Sequence, residues 1–230
     1  KFEVAFPQWV FRMSTLACSE DKIVSLLCED AIWSMNILDR QGTKKIDLPF
    51  DDMKSLDAKD GKAVVIASNS YRESGLLEVD LINETWEHYL VRKPVIEDSK
   101  ISVGESFWFE GFNQQMTHSW YYPPITGSNE LSPLLVKIHS GPTGMASRGL
   151  DLEIQFWTSR GWGVLDINYG GSTGFGRKYR ERLKNGWGEV DVFDYAAGAM
   201  ALVNLGKANK ELLAIEGGSA GGFTTLACLC

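Results

Sequence analysis

The first 95 residues alternate short apolar runs with polar turns, a pattern typical of β-strands. A repeat is visible among them. Lys22–Leu27 resembles Lys62–Ala67, and Met35–Asp39 resembles Leu76–Asp80, each about 40 residues further along. Several short strands in a unit of this length predict a β-propeller blade, and an unrelated β-meander is the alternative. Because two blades cannot close a ring, the pattern predicts that the rest of the propeller is missing from this chain.

The hydrophobic pattern changes after a charged linker at residues 91–100. Two strands are predicted first, at Ile101–Phe109 and Met116–Tyr122. Continuous apolar runs then alternate with amphipathic stretches. The predicted elements are a buried strand at Leu134–Ile138, a helix at Leu152–Ser159, a strand within Gly161–Tyr169 and a helix at Val190–Leu205. Alternation of this kind predicts an α/β domain with a parallel sheet and crossover helices.

The last stretch of the chain carries the strongest chemical signal. An apolar run at Leu212–Glu216 predicts a buried strand, and Phe223–Leu229 predicts a packed helix. Between them lies the G-x-S-x-G sequence Gly217-Gly218-Ser219-Ala220-Gly221-Gly222. In a strand-turn-helix context this is a nucleophile elbow, which presents the serine Oγ and the following N–H to a substrate. The glycines are expected to leave room where a Cβ would clash. The alternative is a glycine-rich turn that binds a phosphate or nothing.

Composition narrows the range of partners. The chain has 230 residues, 44% of them hydrophobic, which is ordinary for a globular protein. A net charge of −7 argues against binding to nucleic acid or to an anionic membrane surface. We expect no cofactor and no metal. Asp191 and Asp194, three residues apart at a helix start, are interpreted as acids that favour the helix dipole, with a metal-binding pair as the alternative.

Four motifs together resemble the prolyl oligopeptidase family (S9) of serine peptidases, in its acylaminoacyl-peptidase and dipeptidyl-aminopeptidase-like branch. They are Leu134–Gly144, Asn168–Gly176, Trp187–Asp194 and Gly217–Gly222, in the family's order and spacing. The resemblance implies a β-propeller followed by an α/β-hydrolase domain. The expected bounds are residues 1–95 for the last propeller blades, 96–133 for a linker and the first hydrolase strands, and 134–230 for the N-terminal half of the catalytic domain.

The resemblance assigns roles to individual residues. Ser219 matches the nucleophile and Ala220 the residue whose backbone N–H stabilises the oxyanion. His139 matches the histidine of the oxyanion loop, and Tyr169 begins a structural loop near the site. Ser140 stands where the family usually has glycine. If that position needs a positive φ, serine would be strained by about 1 kcal/mol.

A serine nucleophile needs a base, and in α/β-hydrolases the acid and the histidine follow the serine. The residues after Ser219 include neither. All three histidines precede it: His88 is expected at the surface, His118 in a structural role, and His139 in the oxyanion loop or, alternatively, recruited as the base. The chain is therefore expected to be a fragment, truncated at both ends and inactive alone.

The resemblance implies proteolysis of short peptides through an acyl-enzyme on Ser219. An esterase or thioesterase of the same fold and a non-catalytic binding protein are the alternatives. The expected partners are short peptide substrates, and the resemblance allows a homo-oligomer of the full-length parent. We expect an intracellular protein, in the cytoplasm or an organelle stroma.

Overall fold

The computed structural model describes residues 2–7, 9–11, 13–125 and 131–230. The chain divides into two compact units. The first comprises residues 1–95, 147–150 and 174–176, and the second comprises 96–146, 151–173 and 177–230. The domain bounds expected from the sequence, at residues 1–95, 96–133 and 134–230, stay predictions.

The first unit contains two four-stranded antiparallel sheets whose strands pair in sequence order. The strands of one sheet are β1 (Leu16–Ser19), β2 (Lys22–Glu29), β3 (Ile32–Asp39) and β4 (Gly42–Lys45). The strands of the other are β5 (Asp52–Lys59), β6 (Lys62–Asn69), β7 (Arg72–Asp80) and β8 (Trp86–Tyr89). Each sheet has the form of a propeller blade, so the propeller interpretation of the repeat is confirmed.

The repeat extends to the turns. Asp39 ends β3 and accepts a hydrogen bond from the Gln41 N–H (2.7 Å), and Asp80 ends β7 and accepts one from the Ile82 N–H (2.8 Å). An aspartate that bonds the backbone two residues ahead forms an Asx turn. The same residue type therefore turns the chain at the same place in both blades.

The second unit is built on a five-stranded sheet in the order β13-β11-β12-β10-β9. Its strands are β9 (Glu105–Glu110), β10 (Met116–Tyr122), β11 (Leu134–Ile138), β12 (Gly163–Asn168) and β13 (Leu213–Gly217). Only β11, β12 and β13 are parallel to one another; β10 runs antiparallel to both β12 and β9. The sheet is therefore mixed rather than wholly parallel, because the short turn at residues 111–115 joins β9 and β10 as a hairpin.

The described residues of this unit form four α-helices: α1 (Leu152–Thr158), α2 (Arg177–Arg180), α3 (Val190–Asn204) and α4 (Ala220–Cys228). Short 3-10 turns occur at Asp98–Lys100, Phe112–Gln114 and Glu181–Leu183. Two residues after the end of helix α3, Gly206 has φ 68°, and the Lys207 N–H returns to the Leu202 carbonyl at 2.9 Å. This is a Schellman ending, in which glycine takes the left-handed position.

The core of the second unit lies where α3 packs on the sheet. Its fully buried members include Leu134, Leu165, Ile167 and Leu202. In contrast, β13 pairs only with β11 among the described strands, and Leu213 is 40% exposed. The prediction of a buried strand here is therefore wrong for β13 as it stands. Within the described residues, no helix has the length and apolar character needed to cross a membrane.

Candidate active site

Ser219 lies between β13, which ends at Gly217, and α4, which begins at Ala220. Its backbone has φ 53° and ψ −119°, a conformation that a residue with a Cβ rarely adopts. The turn closes with hydrogen bonds from the Gly221 N–H to the Gly218 carbonyl (2.9 Å) and from the Phe223 N–H to the Ser219 carbonyl (3.2 Å). The strained turn leaves Ser219 exposed to solvent at the carboxyl end of the sheet.

The four glycines of the turn differ in how much space surrounds them. A Cβ at Gly217 would lie 2.6 Å from the Gly221 carbonyl oxygen, and one at Gly221 would lie 2.8 Å from the Ile138 carbonyl oxygen. A Cβ at Gly218 or Gly222 would come no closer than 3.5 or 3.4 Å to any neighbour. Close packing therefore requires glycine only at positions 217 and 221, where the turn lies against the end of β11.

Ala220 is the first residue of α4 and is buried. The N–H groups of a helix's first turn have no acceptor within the helix, and they lie at its positive end. The Ala220 N–H follows directly on Ser219, so it is available to a negative oxygen formed beside the serine Oγ.

The loop after β11 lies next to the turn because β11 and β13 are neighbours in parallel register, with Ile138 paired to Gly217. In this loop the imidazole of His139 stacks on the ring of Tyr169, with centroids 4.6 Å apart and planes 13° apart. Its Nε2 lies 2.8 Å from the Oγ of Ser172, which is fully buried. Burial lowers the pKa of His139 to about 4, so the ring is neutral at neutral pH.

These contacts bear on whether His139 could act as a base. Its Nε2 is bonded to Ser172, and its Nδ1 lies 3.4 Å from the carbonyl oxygen of Ser140. Among the described residues, no hydrogen bond joins His139 to Ser219. The imidazole is therefore held as part of the loop, and its nitrogens are engaged away from the serine.

Ser140 is not strained. The positive φ in this loop belongs to Gly141, at 76°, and Ser140 is not among the described residues with positive φ. The penalty that the sequence suggested for serine here does not apply. Instead, the Ser140 Oγ donates a hydrogen bond to the Gly218 carbonyl at 3.2 Å.

Among the described residues, neither of the other two histidines hydrogen-bonds Ser219. His118, on β10, is fully buried between Trp108 and Trp120, with ring centroids 5.0 and 4.7 Å away, and burial lowers its pKa to about 3. His88, on β8, is half-buried, and its Nε2 lies 3.1 Å from the Ala67 carbonyl oxygen. The expectation of a surface histidine at position 88 is therefore wrong in part.

Three comparisons relate this arrangement to known proteins. Residues 148–230 match the model of the prolyl oligopeptidase family. A solved puromycin-hydrolyzing peptidase of Mycobacterium tuberculosis is 35% identical and superposes with a TM-score of 0.92, covering 99% of this chain. Dipeptidyl peptidase family member 6 of Caenorhabditis elegans is 35% identical over 96 residues, or 42% of this chain. Dipeptidyl aminopeptidase BIII of Pseudoxanthomonas mexicana is 34% identical over 94 residues, or 41% of this chain.

Residues 148–230 therefore belong to the prolyl oligopeptidase family. The two units of the chain are propeller blades and part of an α/β-hydrolase domain, as the resemblance implied. The chain covers 37% of the M. tuberculosis structure, and the matched segments cover 13% and 14% of the C. elegans and P. mexicana proteins.

Sequence reasoning named Asp191 and Asp194 but missed the contacts by which they hold this site together. Asp194 accepts hydrogen bonds from the backbone N–H groups of Phe112 and Gly170, both at 2.7 Å. Asp191 accepts from the Gly188 N–H and the Thr224 hydroxyl, both at 2.6 Å.

Both aspartates are almost fully buried, so the interpretation of them as acids serving the helix dipole is incomplete. Asp191 ties α3 to α4, and Asp194 fixes the loop that begins at Tyr169. Their spacing at the start of a helix gave no signal of these long-range contacts.

Proposed function

We propose that Ser219 is the nucleophile of a serine peptidase that cleaves short peptides, and that its acid and base come from sequence outside residues 1–230. The observation that carries this proposal is the backbone of Ser219, whose φ of 53° between strand and helix presents the side chain to solvent. Strained serine turns of this kind persist where a reaction needs them.

The reaction follows from the geometry. The Ser219 Oγ attacks the peptide carbonyl carbon as the base removes the hydroxyl proton, and the carbonyl oxygen becomes negative. The Ala220 N–H and a donor from the His139 loop stabilise that oxygen. The C–N bond then breaks, the protonated base returns its proton to the leaving amine, and water hydrolyses the acyl-enzyme by the same steps.

The experiment begins with the intact mass of the protein purified from its source. A mass well above 25.6 kDa supports sequence beyond this chain. That protein is then assayed with dipeptide arylamides and with puromycin, the compound for which the M. tuberculosis relative is named. We expect turnover that Ser219→Ala abolishes, and labelling of Ser219 by a fluorophosphonate. Turnover that survives Ser219→Ala would refute the nucleophile.

The chain of residues 1–230 is expected to show no peptidase activity by itself, because its described residues place no base on Ser219. Hydrolysis of a peptide arylamide by residues 1–230, lost on Ser219→Ala, would contradict this. Comparison of arylamide with p-nitrophenyl ester turnover by the native protein separates a peptidase from an esterase of the same fold.

The lack of a base at Ser219 among the described residues also favours a second candidate, a non-catalytic protein that binds peptides. A native mass that matches 230 residues, with no fluorophosphonate labelling, would support it. The exposed Ser219 and the neighbouring Ala220 N–H at the start of α4 support the catalytic proposal, since binding alone requires neither.

A further inference from the structure

The Ser140 hydroxyl connects two segments that are far apart in sequence. It donates to the carbonyl oxygen of Gly218 at 3.2 Å, and so links the loop after β11 to the turn after β13. This oxygen belongs to the residue immediately before Ser219. The bond therefore acts at the residue on which the proposed chemistry depends.

The two segments meet because the strands before them are in register and the turn has no Cβ in the way. Ile138 pairs with Gly217, and the absence of side chains at Gly217 and Gly221 lets the turn lie against Ile138. Gly218 lies beside the Ser140 side chain, since a Cβ there would make an ordinary contact with the Ser140 Oγ at 3.5 Å. The register thus brings the hydroxyl within reach of the carbonyl.

The Gly218 carbonyl belongs to the peptide unit that also contains the Ser219 nitrogen. This unit is planar, so a bond that holds its oxygen also holds the direction of the Ser219 N–Cα bond, about which φ rotates. The same oxygen accepts the Gly221 N–H at 2.9 Å. Two donors, one from α4 and one from Ser140, therefore restrain the peptide plane that sets the strained φ of Ser219.

The far side of the His139 loop is fixed independently. The Thr173 N–H donates to the Gly144 carbonyl at 2.9 Å, and Ser172 holds the His139 imidazole. The loop therefore has anchors that do not involve the Ser140 side chain. The hydroxyl instead connects an anchored loop to a strained turn.

We propose that Ser140 is a positioning residue, whose hydroxyl holds the Gly218–Ser219 peptide and thereby keeps the Ser219 Oγ and the Ala220 N–H in the geometry for attack. The catalytic consequence rests on the proposed function. The structural link does not, and it is tested separately.

Hydrogen exchange tests the link in the chain of residues 1–230. In Ser140→Ala, amides of the peptide spanning residues 217–223 should exchange about three- to tenfold faster, as expected for the loss of one hydrogen bond. Ser140→Thr keeps the hydroxyl and should exchange like the wild type. Ser159→Ala is the matched control, because the Ser159 hydroxyl bonds the Phe156 carbonyl at the end of α1. Equal exchange in Ser140→Ala and the wild type would overturn the link.

Kinetics test the consequence in the protein purified from its source. We expect Ser140→Ala to lower kcat by about three- to tenfold, with KM changed less than twofold, and Ser140→Thr to restore kcat. Faster exchange with unchanged kcat would overturn the positioning role. If the wild type shows no Ser219-dependent turnover, the proposed function fails, and the exchange experiment still decides whether the Ser140 link exists.

Discussion

The strands of the two blades and the strands and helices of the second unit use their buried positions differently. In the eight described strands of the blades, every buried side chain is apolar or a small neutral polar group, and none is a histidine, aspartate, glutamate, lysine or arginine. In the described strands and helices of the second unit, His118, Asp166, Asp191 and Asp194 are all buried. Since burying an ionisable group is unfavourable unless it is well bonded, the hydrogen-bonded Asp191 and Asp194 indicate where the fold holds specific loops in place.

Removal of a buried carboxylate is the strongest way to test this contrast. Asp194→Ala should lower the free energy of unfolding by about 4 kcal/mol, because two backbone N–H groups lose a charged acceptor. Asp194→Asn keeps an acceptor and should lower it less. Urea unfolding gives the magnitude, and hydrogen exchange locates the change, which we expect in residues 111–118 and 169–173. A loss below about 1 kcal/mol would show that these bonds contribute little.

In a blade, substitution of a buried residue should change the free energy of unfolding through packing alone. Leu77→Ala removes a fully buried side chain from β7 and should lower the free energy of unfolding by about 3 kcal/mol, equally at pH 5 and pH 8. Leu76→Ala is the matched control on the same strand, where the side chain is 47% exposed, and should have little effect. A loss that varied with pH would weaken the contrast between the units.

The turn around Ser219 offers a comparison between two neighbouring glycines that differ in the space around them. Gly221→Ala places a Cβ against the Ile138 carbonyl and should lower the free energy of unfolding by about 2 kcal/mol. Gly222→Ala, the next residue of α4, meets only ordinary contacts and should be neutral or stabilising, since alanine favours a helix. Thermal unfolding of the two variants compares them directly, and equal melting temperatures would contradict the packing argument.

The smallest expected effect is pH-dependent and concerns Asp166 on β12. Its Oδ1 has no hydrogen-bond partner among the described residues, and burial raises its pKa to about 7, against the opposing effect of Lys137. Between about pH 4 and pH 7 the folded state therefore holds a proton that the unfolded state releases, so this group's contribution to stability falls as pH rises.

Asp166→Asn removes that titration while keeping the side-chain shape. We expect the wild type to lose stability relative to Asp166→Asn as pH rises through this window, by about 1 kcal/mol after allowance for relaxation and water penetration. Urea midpoints of both proteins at each pH measure the difference. A constant difference between the two would contradict the raised pKa.

Local patterns predicted most of the elements. Leu134–Ile138 is a strand with the predicted bounds, and the predicted helix Val190–Leu205 differs from α3 by one residue. Around Ser219 the strand lies within one residue of its predicted bounds. The helix forms too, but it begins at Ala220, three residues before the prediction, and the Phe223, Leu226 and Leu229 side chains are exposed rather than packed. The elements themselves depend on neighbours in sequence, so their periodicity and turn residues are enough to specify them.

Contacts between segments that are distant in sequence could not be predicted from local patterns. The sequence placed Ser140 as a departure from a family pattern, and only the pairing of β11 with β13 brings its hydroxyl to Gly218. Likewise, the sequence shows Asp191 and Asp194 only as two acids near the start of a helix. The fold then places N–H and hydroxyl donors around them.

The sequence by itself determined the elements, the repeat, the family and the serine at the turn. The tertiary structure alone decided which glycines lack room for a Cβ, which acids are buried and which side chains fix the turn. The physical reason is that close packing and buried hydrogen bonds depend on distances between residues far apart in sequence, which strand order and register set.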